Sequence, residues 1–140
     1  MLIEHFRDSD SSLGWKEDLD PAQVYMSSIV AMELRAGCRS REQLRWLDRL
    51  MSPFESSQRI ISPSHTICLR AADALRKMAI LGIDRQQRRM LGNDTLIASS
   101  AREIGAALIT RDTSDYSLIA KCVTLLWFPS VEEFLRAGSF

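Results

Sequence analysis

Apolar residues recur along this chain with two different rhythms, and their alternation predicts the architecture. Over residues 40–54, Leu44, Leu47, Leu50 and Met51 fall on one side of a 3.6-residue repeat. An amphipathic helix is expected there, with Ser40 as N-cap and Pro53 as its stop. From Ser64 to Leu81 the stripe is Ile67, Ala71, Ala74, Leu75 and Met78, and Gly82 closes it. Residues 28–37, SIVAMELRAG, read as a helix with Ser28 as candidate N-cap, and residues 94–104 as another that ends at Gly105. Residues 130–138, SVEEFLRAG, read as a short closing helix capped by Ser130. The second rhythm is the short continuous apolar run. VYMS (24–27), RIIS (59–62), AALIT (106–110) and VTLLWF (123–128) are too short for helices and are expected as strands. LIEHFRD (2–8) reads as a short helix. Residues 9–23, with Gly14 and Pro21, and residues 83–92, with Arg85, Arg88 and Arg89, read as polar loops. Strands alternating with helices predict an α/β fold with a mainly parallel sheet. No repeat, linker or low-complexity tract divides the chain, so one domain over residues 1–140 is expected.

Composition changes this picture little. Of 140 residues, 46% are hydrophobic, which suits a folded domain and excludes a disordered chain. The formal net charge is zero, so bulk charge names no partner. Cys38, Cys68 and Cys122 are scattered, with no CxxC, which fits a reduced cytoplasmic protein without a zinc site. No signal peptide is visible and no apolar run is long enough to cross a membrane.

The carboxylates change it more. Helical spacing groups Asp94 with Ile97, Ala101 and Ile104, so the acid faces the protein and not bulk water. The bland alternative is an acid complementing the helix N-terminus, with Asn93 as cap. Glu33 follows Ile29 by four and Val30 by three, again on an apolar face, where its stem can pack while its head reaches water. Asp112 follows the run AALIT, at the end of a strand where α/β folds bind ligands, in a segment equally rich in turn formers. Asp115 is expected beside the site rather than in it, capping the short YSLIA segment. Clustered acids repel and resist burial, and the usual compensation is a hard divalent cation such as Mg²⁺. No Ser-His-Asp order, HExxH or phosphate-loop motif competes for the role. For Arg85, Arg88 and Arg89 a solvated basic surface is the simpler reading and phosphate contact the sharper one.

The segments VAMELRAG and GNDTLIASSAREIGAALITRD, followed by Asp115–Tyr116, resemble the PIN-domain ribonucleases, in particular the VapC-type toxins of toxin–antitoxin pairs. The resemblance implies a three-layer α/β/α fold and Mg²⁺ or Mn²⁺ as cofactor. It implies Glu33, Asp94 and Asp112 as catalytic, metal-binding acids, with Asn93, Thr110 and Asp115 around them. It further implies an RNA substrate, a cognate antitoxin and a homodimer. The family begins with a strand ending in Asp, and LIEHFRD looks like the helix that follows it. The expectation is therefore a PIN-like domain with its N-terminal strand and first catalytic Asp absent. Two functions stay open: a metal-dependent endoribonuclease, weakened as written, and a catalytically dead module that binds an antitoxin or dimerises.

Overall fold

A computed structural model of the chain describes residues 2–4 and 24–138. Its organising element is β4 (Leu108–Thr110), in which Leu108, Ile109 and Thr110 are all buried. A strand buried at successive positions is covered on both faces, as parallel strands are. β4 pairs in parallel with β1 (Leu2–Glu4) on one side, Glu4 level with Thr110, and with β5 (Trp127–Phe128) on the other. A second parallel ladder joins β2 (Met26–Ser27) to β3 (Ile60–Ile61). β1 also lies against β2, so the three-stranded sheet β1-β4-β5 and the two-stranded ladder β2-β3 sit side by side.

Parallel neighbours require crossovers, and helices supply them. They are α1 (Ser28–Gly37), α2 (Arg41–Ser56), α3 (His65–Ile80), α4 (Arg85–Met90), α5 (Gly92–Glu103), α6 (Thr113–Ile119) and α7 (Val131–Ala137). Together they make a three-layer α/β/α domain. α5 is central: it packs on α1, α3, α4 and α6. The core gathers Ile97 and Ala101 of α5, Met78 of α3, Leu47 of α2, Leu108 and Ile109 of β4, and Tyr116 and Ile119 of α6.

Several expectations change here. Residues 2–4 form a strand where a helix was expected over 2–8; residues 5–23, with the rest of that helix and the loop expected over 9–23, lie outside the described residues. A short apolar run such as Leu2–Ile3 suits either state, and the backbone groups of β4 on that side supply the pairing that decides it. Ser27, not Ser28, caps α1, accepting from the Ile29 amide at 3.2 Å. Pro53 lies inside α2, which runs on to Ser56. The stretch holding Arg85, Arg88 and Arg89 is helical, because Asp84 caps it by accepting from the Gln87 amide at 2.9 Å. Ile104 leaves the apolar stripe and is exposed.

Three helices end in the same way. After α2, α3 and α5 the chain turns through left-handed backbone at Gln58 (φ 54°), Gly82 (φ 86°) and Gly105 (φ 65°). Each turn is closed by an amide reaching back five residues: Arg59 to Phe54, Ile83 to Met78, Ala106 to Ala101. An L side chain in that conformation costs about 1–2 kcal/mol. Gly105→Ala, which meets nothing within 4 Å, is therefore expected to lose about 1 kcal/mol of stability from backbone strain alone. Gln58→Gly is expected to gain a smaller amount. Urea midpoints of the two variants check both signs.

Candidate metal centre

The carboxyl end of β4 and the first turns of α5 and α6 meet at one place. Asp94 enters in the first turn of α5, Asp112 stands between β4 and α6, and Asp115 lies in the first turn of α6. Their carboxylates offer three oxygens that all lie within 4.8 Å of one another, and each residue is half-buried. Asp115, expected beside the site, thus stands at the same range as the other two. Negative charge at a helix N-terminus is favourable, which helps to hold the acids there. It does not remove their repulsion, about 3–4 kcal/mol per pair at an effective dielectric of about 20.

Local hydrogen bonds orient these acids. Asp112 Oδ1 accepts from the Asp115 amide at 3.2 Å and from the Ser114 hydroxyl at 3.1 Å. Asp112 is therefore the N-cap of α6, the role the sequence had put on Asp115. The buried Thr110 Oγ1 accepts from the Asp112 amide at 3.1 Å, fixing the turn out of β4. The hydroxyl of Tyr116, fully buried, donates to Asp94 Oδ1 over a long 3.4 Å. This hydroxyl is the contact that sequence reading missed; its signal was the acid–aromatic pair at 115–116.

Glu33 is not one of the three. It reaches in from α1, where its Oε1 accepts from Asn93 Nδ2 at 2.8 Å, next to Asp94. Asn93 is thus committed across to α1 and does not cap α5, which has no side-chain cap bond. Of the arginines, Arg88 donates through Nε to the Ile83 carbonyl at 3.1 Å, while Arg85 and Arg89 are exposed on α4.

The donor set suits a hard divalent cation. Mg²⁺ binds oxygen at about 2.0–2.1 Å, so its ligands stand up to about 4.2 Å apart. Adjacent octahedral ligands stand only about 3 Å apart, so oxygens within 4.8 Å of one another would close by up to about 2 Å onto the ion. Among the described residues no helix is long and apolar enough to cross a membrane.

Among solved structures the chain is similar to VapBC-1 from nontypeable Haemophilus influenzae, at 25% identity and TM-score 0.56, covering 80% of this chain and 78% of that one. It is similar to FitAcB from Neisseria gonorrhoeae at 19% identity and TM-score 0.65, covering 91% and 96%. It is also similar to VapBC2 from Rickettsia felis, in a structure bound to a DNA fragment from their promoter, at 24% identity and TM-score 0.56, covering 76% and 74%. A comparison with curated proteins finds no match. The PIN domain family matches residues 1–121, which include all three acids and the elements that carry them, and the chain belongs to that family.

Proposed function

We propose that this chain is a metal-dependent endoribonuclease of the VapC type, hydrolysing RNA phosphodiesters at the cluster of Asp94, Asp112 and Asp115. The observation that carries the reading is the convergence of three carboxylate oxygens within 4.8 Å at the end of a buried strand. Those residues would hold Mg²⁺ or Mn²⁺, and the ion, when bound, supplies the positive charge against which charge building on a phosphodiester is stabilised. The chain's own groups do the rest. Ser114 donates to the Asp112 carboxylate, Thr110 holds the Asp112 backbone amide, and Tyr116 holds Asp94 from the buried side. Glu33 ties Asn93, and with it the start of α5, to α1. Exposed Arg85 and Arg89, one turn apart on α4, are placed to meet RNA phosphate. By the same reading the chain works in the cytoplasm, pairs with a second copy, and is held in check by a cognate antitoxin. Its likeness to FitAcB and to VapBC-1, both named as two-component assemblies, supports that partner.

Thermal melts test the metal part separately from the chemistry. An ion that binds only the folded state raises stability by RT ln(1 + [L]/Kd). Mn²⁺ at millimolar concentration is expected to raise the Tm of the wild type. Asp94→Asn should lose most of that rise, yet be at least as stable as wild type in EDTA, since one like charge is gone. A melt indifferent to metal overturns the site. A clear metal shift with RNA left intact assigns the chain to the dead-module reading.

A further inference from the structure

α5 carries a second polar feature on another of its sides. Ser99 is five residues past Asp94, about 140° further around the helix. It is only 3% exposed, and its Oγ has no hydrogen-bond partner. The neighbouring Ser100 shows the ordinary solution, donating to the Leu96 carbonyl at 2.8 Å. Ser99 instead lines a cleft between α3 and α5, with an empty volume of about 500 Å³ open to solvent.

Three cations line the same cleft. Arg70 and Lys77 are seven residues apart on α3, hence on one stripe, with the small buried Ala74 between them. Arg102 is three residues past Ser99 on α5. The one carboxylate in the lining, Asp73, pairs outward with Arg76 at 3.7 Å. Arg70 is paired with Glu103, whereas Lys77 and Arg102 form no ion pair among the described residues. A water molecule would satisfy Ser99, but it would not account for positive charge gathered from two helices around a buried donor.

We propose that this cleft binds a phosphate-sized oxyanion, Lys77 and Arg102 supplying the charge and the Ser99 hydroxyl a hydrogen bond from the floor. A phosphate carries about 1.5–2 negative charges near neutral pH, which matches the excess of cations in the lining. The same chemistry is offered by free phosphate and by the terminal phosphate of an RNA. The proposal does not depend on the acid cluster.

Titration calorimetry with inorganic phosphate, in EDTA and against chloride at matched ionic strength, tests it. The wild type should show one saturable site. Lys77→Gln combined with Arg102→Gln should weaken it about tenfold or more, and Ser99→Ala by a smaller factor, because charge-assisted bonds dominate such a site. Arg41→Gln, at an exposed arginine of α2 outside the cleft lining, should bind as wild type does. Circular dichroism checks that each variant is folded, and Ser99→Ala and single Lys77→Gln keep the test open if the double variant is not. No saturable binding by the wild type overturns the proposal, as does unweakened binding by the folded variants. Short RNAs with 5′-phosphate and 5′-hydroxyl ends then name the source. A preference for the phosphorylated end over inorganic phosphate points to nucleic acid, and equal affinity points to free phosphate.

Discussion

Asp112→Asn is expected to lower Mn²⁺-dependent RNA cleavage by about a hundredfold or more while leaving the fold intact. The substitution separates two roles that one side chain holds. As N-cap of α6, Asp112 needs an oxygen to accept from the Asp115 amide, and Asn provides one; the two residues are near-equal as N-caps. As a member of the acid cluster it needs negative charge, which Asn lacks. Cleavage should therefore fall while the melt in EDTA stays close to wild type. Asp112→Ala removes both roles and should also lose about 1 kcal/mol of stability. The assay is cleavage of a mixed panel of single-stranded and structured RNAs, each protein compared with and without EDTA. Cleavage by Asp112→Asn at the wild-type rate would falsify the assignment of this acid to the chemistry.

The second large effect is on stability. Ile97→Ala is expected to lose about 2–5 kcal/mol, a large part of the roughly 5–15 kcal/mol that holds a domain together. Ile97 is fully buried in the cluster that also takes in Leu91, Leu108 and Tyr116. Truncation removes apolar burial and leaves a cavity that helices packed on several sides cannot close. Tm should fall by roughly 10 °C. Leu126→Ala, at a residue 61% exposed, is the matched control and should move stability by no more than about 0.5 kcal/mol. Similar losses from both would show that α5 is not the centre of the core. Ile97 also lies one turn from Asp94, so a loosened core should weaken metal binding as well.

Much of this was legible from spacing, and the exceptions have physical reasons. The stripes in α2 and α3 were readable because Leu47, Leu50, Met51, Ile67, Ala71, Ala74 and Met78 fall at helical spacing, and all are buried. Strand β4 was readable because a short apolar run between Gly105 and the turn-rich segment after Thr110 has few other uses. Residues 2–4 were not, since three residues carry no period and their state depends on a partner more than a hundred positions away. At α4 the cap Asp84 was outweighed by the polarity of RQQRR, which has no apolar stripe to announce a helix. In the acid cluster, Asp94 and Asp112 stood out as charges in apolar or strand-end contexts. Asp115 did not, because an acid in a turn-like segment is ordinary until the cap bond from Asp112 fixes where it faces. The cleft at Ser99 was invisible, being made by two helix faces that only packing brings together.

The acid cluster also has a bearing on how the chain can be divided. Asp94 to Asp115 is one stretch of 22 residues, built from α5, β4 and α6 in unbroken succession. Bringing these acids together closes only a short loop, for which the entropic cost is small. Glu33 is different: its bond to Asn93 spans 60 residues and crosses from α1. A chain opened at the Gln58 turn would keep the three carboxylates on one fragment and carry Glu33 away on the other. The cluster is thus a local property of the C-terminal half, and the bond from Glu33 is one of its links to the N-terminal half, beside the packing of α5 on α1 and the pairing of β4 with β1.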